Sequence, residues 1–233
     1  MTTYLSLVNE LLRRLNEVPL DLAGDGFDSV RNVQALAKDA INNSIRAIIQ
    51  DGQEWPFLKT TYTQTLTAGT KEYSFPADMS SVDWDTVYLK KLSSVENQPK
   101  RLPVLSYEEY IDKFRPLDDT GATGAPDFAY QTYEEKFGVT PTPDEAYEVE
   151  YVYWSYPADM SAWNDTCIIP VRFKHVIIDG AMMYMMRFRS NDQSAMIHQE
   201  AFKEGIKAMR RILLDDKLDL RSTVINRVAV NGR

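Results

Sequence analysis

The chain has 233 residues, 26% charged and 44% hydrophobic, with a formal net charge of −8. A chain of that size forms one large domain or two small ones and hides roughly 70–75% of its unfolded surface, so it needs no disulfide or metal staple. The acidic balance excludes a free-standing DNA-binding domain and a polybasic membrane binder, and the single cysteine, Cys167, excludes an intrachain disulfide.

The opening MTTYLSLVNELLRRL lacks a basic region followed by an apolar run, so it does not read as a signal peptide. No apolar stretch approaches the ~18 residues that a spanning helix needs. The expectation is a soluble product of a reducing cytosol, with no membrane association. The first segment reads as helix: Leu5, Val8, Leu11, Leu12, Leu15 and Val18 recur at three and four, Asn9, Glu10, Arg13 and Arg14 face outward, Thr2 or Thr3 caps it and Pro19 closes it. After the turn cluster LAGDGFDS a second helix runs from about residue 30 to 50. Its stripe is Val33, Ala37, Ala40, Ile41, Ile45 and Ile48, its cap Asp28 or Ser29, and its stop DGQEWPF.

The period then changes. TYTQTLTAGTKEYSF predicts a β-hairpin with Gly69 in its tip, and Val82 to Leu92 a strand with Val82, Trp84, Thr86, Tyr88 and Lys90 on one face. SYEEYIDKF is a short helix with a capping box, Ser106 and Glu109. Asp118 to Pro126 reads as a loop, and FAYQTYEEKFGVTP as two short strands around Glu134-Glu135. YEVEYVYW places Tyr147, Val149, Tyr151 and Tyr153 on one strand face and Glu148, Glu150, Val152 and Trp154 on the other. Helical period returns after Pro157. Pro170 enters a helix striped by Phe173, Val176, Ile177, Gly180, Ala181, Tyr184, Met185 and Phe188. A last helix, about 192–214, starts at Asn191 or Asp192 and carries Ala195, Met196, Phe202, Ile206, Met209, Ile212 and Leu213.

Neither helical pair can bury its stripe alone. The expected fold is therefore α+β: a four-helix bundle built from the N- and C-terminal helical pairs, 1–57 and 158–216, an inserted, mostly antiparallel β domain, 58–157, and an extended C-terminal arm, 217–233.

Little in the sequence carries chemistry. Glu148 and Glu150 share a strand face; they read as its solvated side, and the competing reading is a glycosidase pair, which needs carboxylates roughly 5–9.5 Å apart around a sugar cleft. His175 and His198 lie on different helices without metal-ligand spacing, so no metal and no cofactor are expected. Cys167 reads as a small buried residue before a helix, with a nucleophile beside His175 as the alternative. TGATGAP lacks the Gly-Lys-Ser/Thr of a phosphate loop, and no catalytic residues are assigned.

Two features point to partners. Met182, Met183, Met185 and Met186 cover more than one helix face, which suits either an adaptable contact surface or a helix buried on most sides. The tail from Lys217 carries +3 while residues 1–216 sum to −11. With Val224, Ile225, Val228 and Val230 it reads either as a disordered terminus or as an arm that orders on a partner by charge and strand pairing.

The order of segments resembles the head-to-tail adaptors of short-tailed phages, the tail tubular protein A type. The matching stretches are EWPFLKTTYTQTLTAGTKEYSFPADM (Glu54 to Met79), GAPDFAYQTYEEKFGVTPTPDEAYEVEYVYWSYP (Gly124 to Pro157) and the Pro-led final helical pair. The resemblance implies a structural virion protein and not an enzyme, made in the host cytoplasm and carried in the tail connector. It implies a homo-oligomeric ring of twelve below the portal protein, joined to the tail nozzle and in some phages to tail fibres, with DNA passing through the channel without specific binding. Carried onto this chain, the arm Leu218–Arg233 corresponds to the portal contact, with Arg221, Val224, Ile225, Arg227, Val228 and Arg233 as its candidates. Met182, Met186, Trp154 and Tyr156 are the candidates for subunit or tail interfaces. The alternative is a carbohydrate-active or carbohydrate-binding phage protein that uses carboxylates and aromatics of the β domain.

Overall fold

The helix Lys174–Phe188 (α5) is apolar around most of its circumference, and burying it organises half of the molecule. The computed structural model describes residues 2–21, 26–27, 30, 32–52, 54–91, 99–134 and 136–214. They divide into two units: the described residues of Met1–Phe57 with Ala158–Arg233, and Leu58–Pro157. The fold is α+β, with six α-helices and antiparallel-rich sheets among the described residues.

In the first unit α5 packs against Tyr4–Arg14 (α1), Val33–Gly52 (α2) and Asp192–Leu213 (α6). Three neighbours explain why its buried set, Val176, Ile177, Ile178, Ala181, Met182, Met183 and Met185, is wider than the single stripe expected from the sequence. Phe188, expected in that stripe, sits at the helix end and is exposed. The tightest approach is at Gly180, where a Cβ would lie 2.2 Å from Ser44 Oγ and 2.7 Å from the Phe202 ring. Ser44 is itself fully buried and donates to the Ile177 carbonyl at 2.8 Å, so α2 and α5 meet through a hydrogen bond as well as through apolar contact.

Helix ends are closed by residues far apart in sequence. Thr3 caps α1 by accepting from Ser6 N, and the amides of Tyr4 and Leu5 donate to the carbonyls of Asp165 and Trp163. The orphan N–H groups of the first helix are thus satisfied by a loop near the start of the C-terminal half. Asp165 in turn accepts from the amides of Ser161 and Ala162, which holds its carboxyl below the usual aspartate range. Asn42 joins the same corner, donating to Tyr4 Oη and to the Met160 carbonyl. The first helix stops at Arg14, not near Val18: Leu15 is its C-cap, Asn16 has φ +57°, and Val18 is exposed. Asn9, expected to face outward, grips the returning chain instead, accepting from Leu20 N and donating to Leu20 O. At the end of α2, Trp55 is fully buried and donates from Nε1 to the Ile48 carbonyl; a Cβ on Gly52 would sit 2.2 Å from its ring, so the Gly-x-x-Trp spacing is a lock on the helix terminus. Asn191 caps α6 by accepting from Ser194 N.

The second unit has one four-stranded sheet in the order Lys59–Leu66 (β1), Tyr147–Ser155 (β10), Met79–Lys91 (β3), Lys100–Arg101 (β4). A second runs Glu72–Ser74 (β2), Lys136–Thr140 (β8), Phe128–Gln131 (β7), Val104–Leu105 (β5), and Thr123–Gly124 (β6) pairs with Thr142–Pro143 (β9). Two short helices, Tyr107–Lys113 (α3) and Arg115–Asp118 (α4), lie between β5 and β6. Ser106 caps α3 by accepting from Glu109 N, as the capping box predicts. Residues of both four-stranded sheets, among them Leu66, Tyr73, Val87, Leu89, Phe137, Val139, Val149 and Tyr151, fill one core.

Two local expectations are corrected. The turn at Ala68-Gly69 exists, with Thr70 N donating to Thr67 O, but its flanks do not pair as a hairpin: β1 lies against β10, and β2 against β8. The chain crosses between sheets there, and a local turn signal carries no information about that. The loop expected at 118–126 also holds the end of α4 and the strand β6.

The face alternation of β3 breaks as well. Glu150 pairs with Tyr88 and Val152 with Asp83, so five steps on β3 match two on β10. An odd excess turns the strand over. Val82 and Trp84 pack on the core before the bulge, and Val87 and Leu89 after it. Thr86 fills the broken ladder, its Oγ1 accepting from Val152 N at 2.9 Å and donating to Asp83 O at 2.6 Å.

Gly180→Ala gains up to about 1 kcal/mol in helix propensity but overpacks a closed crossing at a cost of about 1–3 kcal/mol or more. The expected net is destabilisation in urea melts, partly recovered by adding Ser44→Ala; a variant as stable as the parent refutes the close approach. Thr86→Val keeps the shape and deletes both bulge hydrogen bonds, and is expected to lose about 1–3 kcal/mol by the same measurement. The depressed carboxyl of Asp165 adds stability that is present above the ordinary aspartate range near pH 4 and is lost as pH falls through its folded value. The stability gap between parent and Asp165→Asn is therefore expected to narrow between pH 7 and pH 3 in urea melts.

Candidate assembly surfaces

The paired glutamates lie on β10, the strand bonded on both sides in its sheet. Glu150 is held by Lys90 of β3 through a side-chain hydrogen bond and ion pair, which pushes the Lys90 ammonium up. Glu148 stands opposite Thr65 on one neighbour and Lys90 on the other. Alternating signs across adjacent strands stabilise a sheet face. Tyr147, Val149, Tyr151 and Tyr153 are buried on the opposite face, as the alternation predicts.

Trp154, expected on the glutamate face and at a contact, is only 5% exposed, with Lys59 Nζ 4.6 Å above its ring. Met182 is 4% exposed. Both are buried, Met182 on a helix packed by three others and Trp154 on the face of β10 away from the β-unit core. Of the four residues named for subunit or tail interfaces, Met186, half-buried, and Tyr156, 39% exposed, keep surface for a partner. The methionine run is thus the wall of a helix buried on most sides. Arg221, Val224, Ile225, Arg227, Val228 and Arg233 lie outside the described residues, as do Asp28 and Ser29.

Other apolar side chains reach the surface without having been singled out. In the helical unit these are Trp163, 47% exposed, Val171, Met196 and Ile197; in the β unit Tyr133 is 79% exposed. Met196 belongs to the predicted stripe of α6, but the buried set of that helix is Ala195, Phe202, Ile206 and Met209, and Met196 lies beside it. Trp163 stands between Pro157 and Pro170 in a segment without period, and its position beside the α1 amides comes from a long-range backbone contact. Within the β unit, Trp84, Tyr107 and Tyr133 line an open cleft of about 630 Å³ with Ser106, Glu108 and Gln131. The Tyr107 and Tyr133 rings meet edge-on at 4.8 Å.

Cys167 is buried, which pushes its thiol up and away from nucleophilic use. His198 Nδ1 lies 3.4 Å from Asp179, which also pairs with Arg14; His175 is on α5 and lines a groove with Glu204, Lys207 and Arg211. Among the described residues no group of three His, Cys, Asp or Glu side chains is placed to hold a metal ion, and no helix is long and apolar enough to cross a membrane.

Charge is unevenly shared. Residues 58–157 contain 17 acidic and 9 basic side chains, a net of −8 equal to that of the whole chain. The β unit is thus strongly acidic, with an exposed Tyr133 at its surface and an ion-paired Glu150 on its wet face. No curated protein matches the chain. The family model described as SU10 adaptor protein matches residues 2–228, nearly the whole sequence. The resemblance to phage head-to-tail adaptors is thereby borne out, and the chain belongs to the SU10 adaptor protein family, a family of phage structural proteins.

Proposed function

We propose that this protein is the ring-forming adaptor that joins the portal vertex of a short-tailed phage to its tail nozzle and continues the DNA channel. The observation that carries the reading is the family match over residues 2–228. The four helices of the first unit act in it as one bundle, the mount of each subunit, and residues 58–157 as a lobe that serves the tail side. Copies stand side by side in a heterologous ring of about twelve, in which one face of each subunit meets a different face of the next. Met186 and Tyr156 are the surviving contact candidates from the sequence, and the arm 217–233, with Arg221 and Arg227, is the portal contact.

The acidity suits a channel. A ring of about twelve such chains carries roughly −100 before counterions, and carboxylates repel phosphate, so DNA slides without sticking. An electropositive lumen in an assembled ring overturns this part of the proposal.

Size-exclusion chromatography with light scattering, on the chain alone and with a portal ring, tests the reading. Deleting residues 218–233 is expected to abolish portal docking and leave the melting temperature within a few degrees of the parent; docking without the arm refutes its role. The Glu148→Gln, Glu150→Gln double variant is expected to assemble as the parent does. Loss of a turbidity-clearing activity on cell-wall material in that variant would instead establish the carbohydrate-active reading.

A further inference from the structure

Among the described residues, the sheet that contains β1 is left open on both rims, and the two rims differ. β1 has 8 residues and pairs with β10 in unbroken register, with no bulge and no proline. Val152 N donates to Thr86 on β3, so the backbone groups of Val152 point to β3 and those of Tyr151 and Tyr153 point to β1. Their partners Tyr62 and Thr60 therefore use their N–H and C=O on β10, and by alternation Lys59, Thr61, Thr63 and Thr65 direct theirs outward. Among the described residues these outward groups have one hydrogen bond, from Gln64 Nε2 to the Thr65 carbonyl.

Such an edge is a template for another strand, and proteins usually blunt it with charge, proline, bulges or shortness. The other edge strands of this unit are short: β2 has 3 residues, β5 has 2, and β4 is the pair Lys100-Arg101. β1 is long and carries one charge, Lys59, at its end. On the opposite rim, β4 covers β3 only at Tyr88 and Leu89. Ser81 and Asp83 face β10, so Ser80 and Val82 turn their backbone groups outward. The stretch Met79–Asp85 carries Asp83 and Asp85 and no base.

We propose that the outer edge of β1 is an assembly surface and that its occupant is a second copy of this chain, paired through the open Met79–Asp85 rim of β3. Unlike rims joined head to tail make a heterologous contact, the type a ring requires, whereas β1 against β1 closes a dimer. Lys59 already pairs with Asp83 of its own chain at 3.0 Å and Asp85 with Arg101, so neither rim brings a free charge to the contact and what the two share is unpaired backbone. Main-chain hydrogen bonds supply the attachment, and side chains set the register. The inference rests on the ring reading above and adds the surface by which neighbours join.

Proline substitution separates this idea from a structural role. Thr63→Pro removes an outward N–H, which edge strands tolerate; Gln64→Pro removes one that faces β10. Thr63→Pro is expected to keep the parent's circular dichroism and melting curve while its assembled fraction falls at least tenfold in sedimentation velocity; Gln64→Pro is expected to melt early. Ser80→Pro repeats the experiment on the other rim should Thr63→Pro misfold. Thr63→Cys with Ser81→Cys, which share the glutamate face of the joined sheet, treated with a short bismaleimide, is expected to give a ladder of cross-linked oligomers, and Cys167 is buried and does not compete. Assembly of Thr63→Pro equal to the parent, or dimers from Thr63→Cys alone in place of the ladder, overturns the edge proposal and leaves the adaptor reading standing. A parent chain that stays monomeric alone and on a portal ring, with no cross-linking of the cysteine pair, overturns the ring reading and this inference together.

Discussion

The helical unit depends on one constraint: α5 has only a narrow polar edge, Lys174, His175 and Asp179 with Arg187 at its end, to give to water. Ile178, Met182 and Met183 are as buried as the stripe of Val176, Ile177, Ala181 and Met185. A helix of that kind must be enclosed by several neighbours. Two of them, α1 and α2, come from the start of the chain. The helical stretches on either side of 58–157 are therefore forced into one core, and 58–157 stands between them in the chain as a unit with a core of its own. The polar corner of Tyr4, Asn42, Met160 and Asp165 repeats the same closure in hydrogen bonds: Asn42 donates to Met160 O and Tyr4 N to Asp165 O across the two helical stretches, and Asn42 also donates to Tyr4 Oη.

The β unit solves a different problem. Its central strand, β10, is bonded on both sides and keeps tyrosines inward and glutamates outward, so a strand in the middle of a sheet still presents one wet face. The bulge in β3 turns Val87 and Leu89 onto the core after Val82 and Trp84 have used the same side. Because the chain changes sheets at the Ala68-Gly69 turn, β1 is left with one partner and a bare outer edge. An acidic lobe with an unguarded strand edge and membership of a phage adaptor family describe a part made to be assembled with other parts.

Much of the candidate surface was hidden from sequence reasoning for the same reason that parts of the fold were. Met182 and Trp154 look like contact residues because methionine runs and aromatics mark interfaces, yet burial is decided by how many neighbours an element acquires, and α5 and β10 acquire several. Trp163 and Met196 gave no periodic signal of exposure, because one lies in an irregular loop and the other beside the buried stripe of its helix. The edge of β1 could not be seen at all, since the sequence of a strand says which way side chains point but not which of its two backbone edges is covered.

The sequence by itself determined the period of most elements, the caps of α1, α3 and α6, the inward face of β10 and the need for the two helical pairs to share a core. Those are local matters: alternation, 3.6-residue repeats, Ser106 and Asn191 at caps, and Gly52 before Trp55 at a helix end. Tertiary structure alone decided the strand order, the reversal within β3, the early stop of α1 and the grip of Asn9 on Leu20. Strand order and the reversal within β3 are fixed by partners found across a long stretch of chain, and the turn after α1 by Asn16 at positive φ and by Asn9 reaching Leu20; a residue's identity encodes neither.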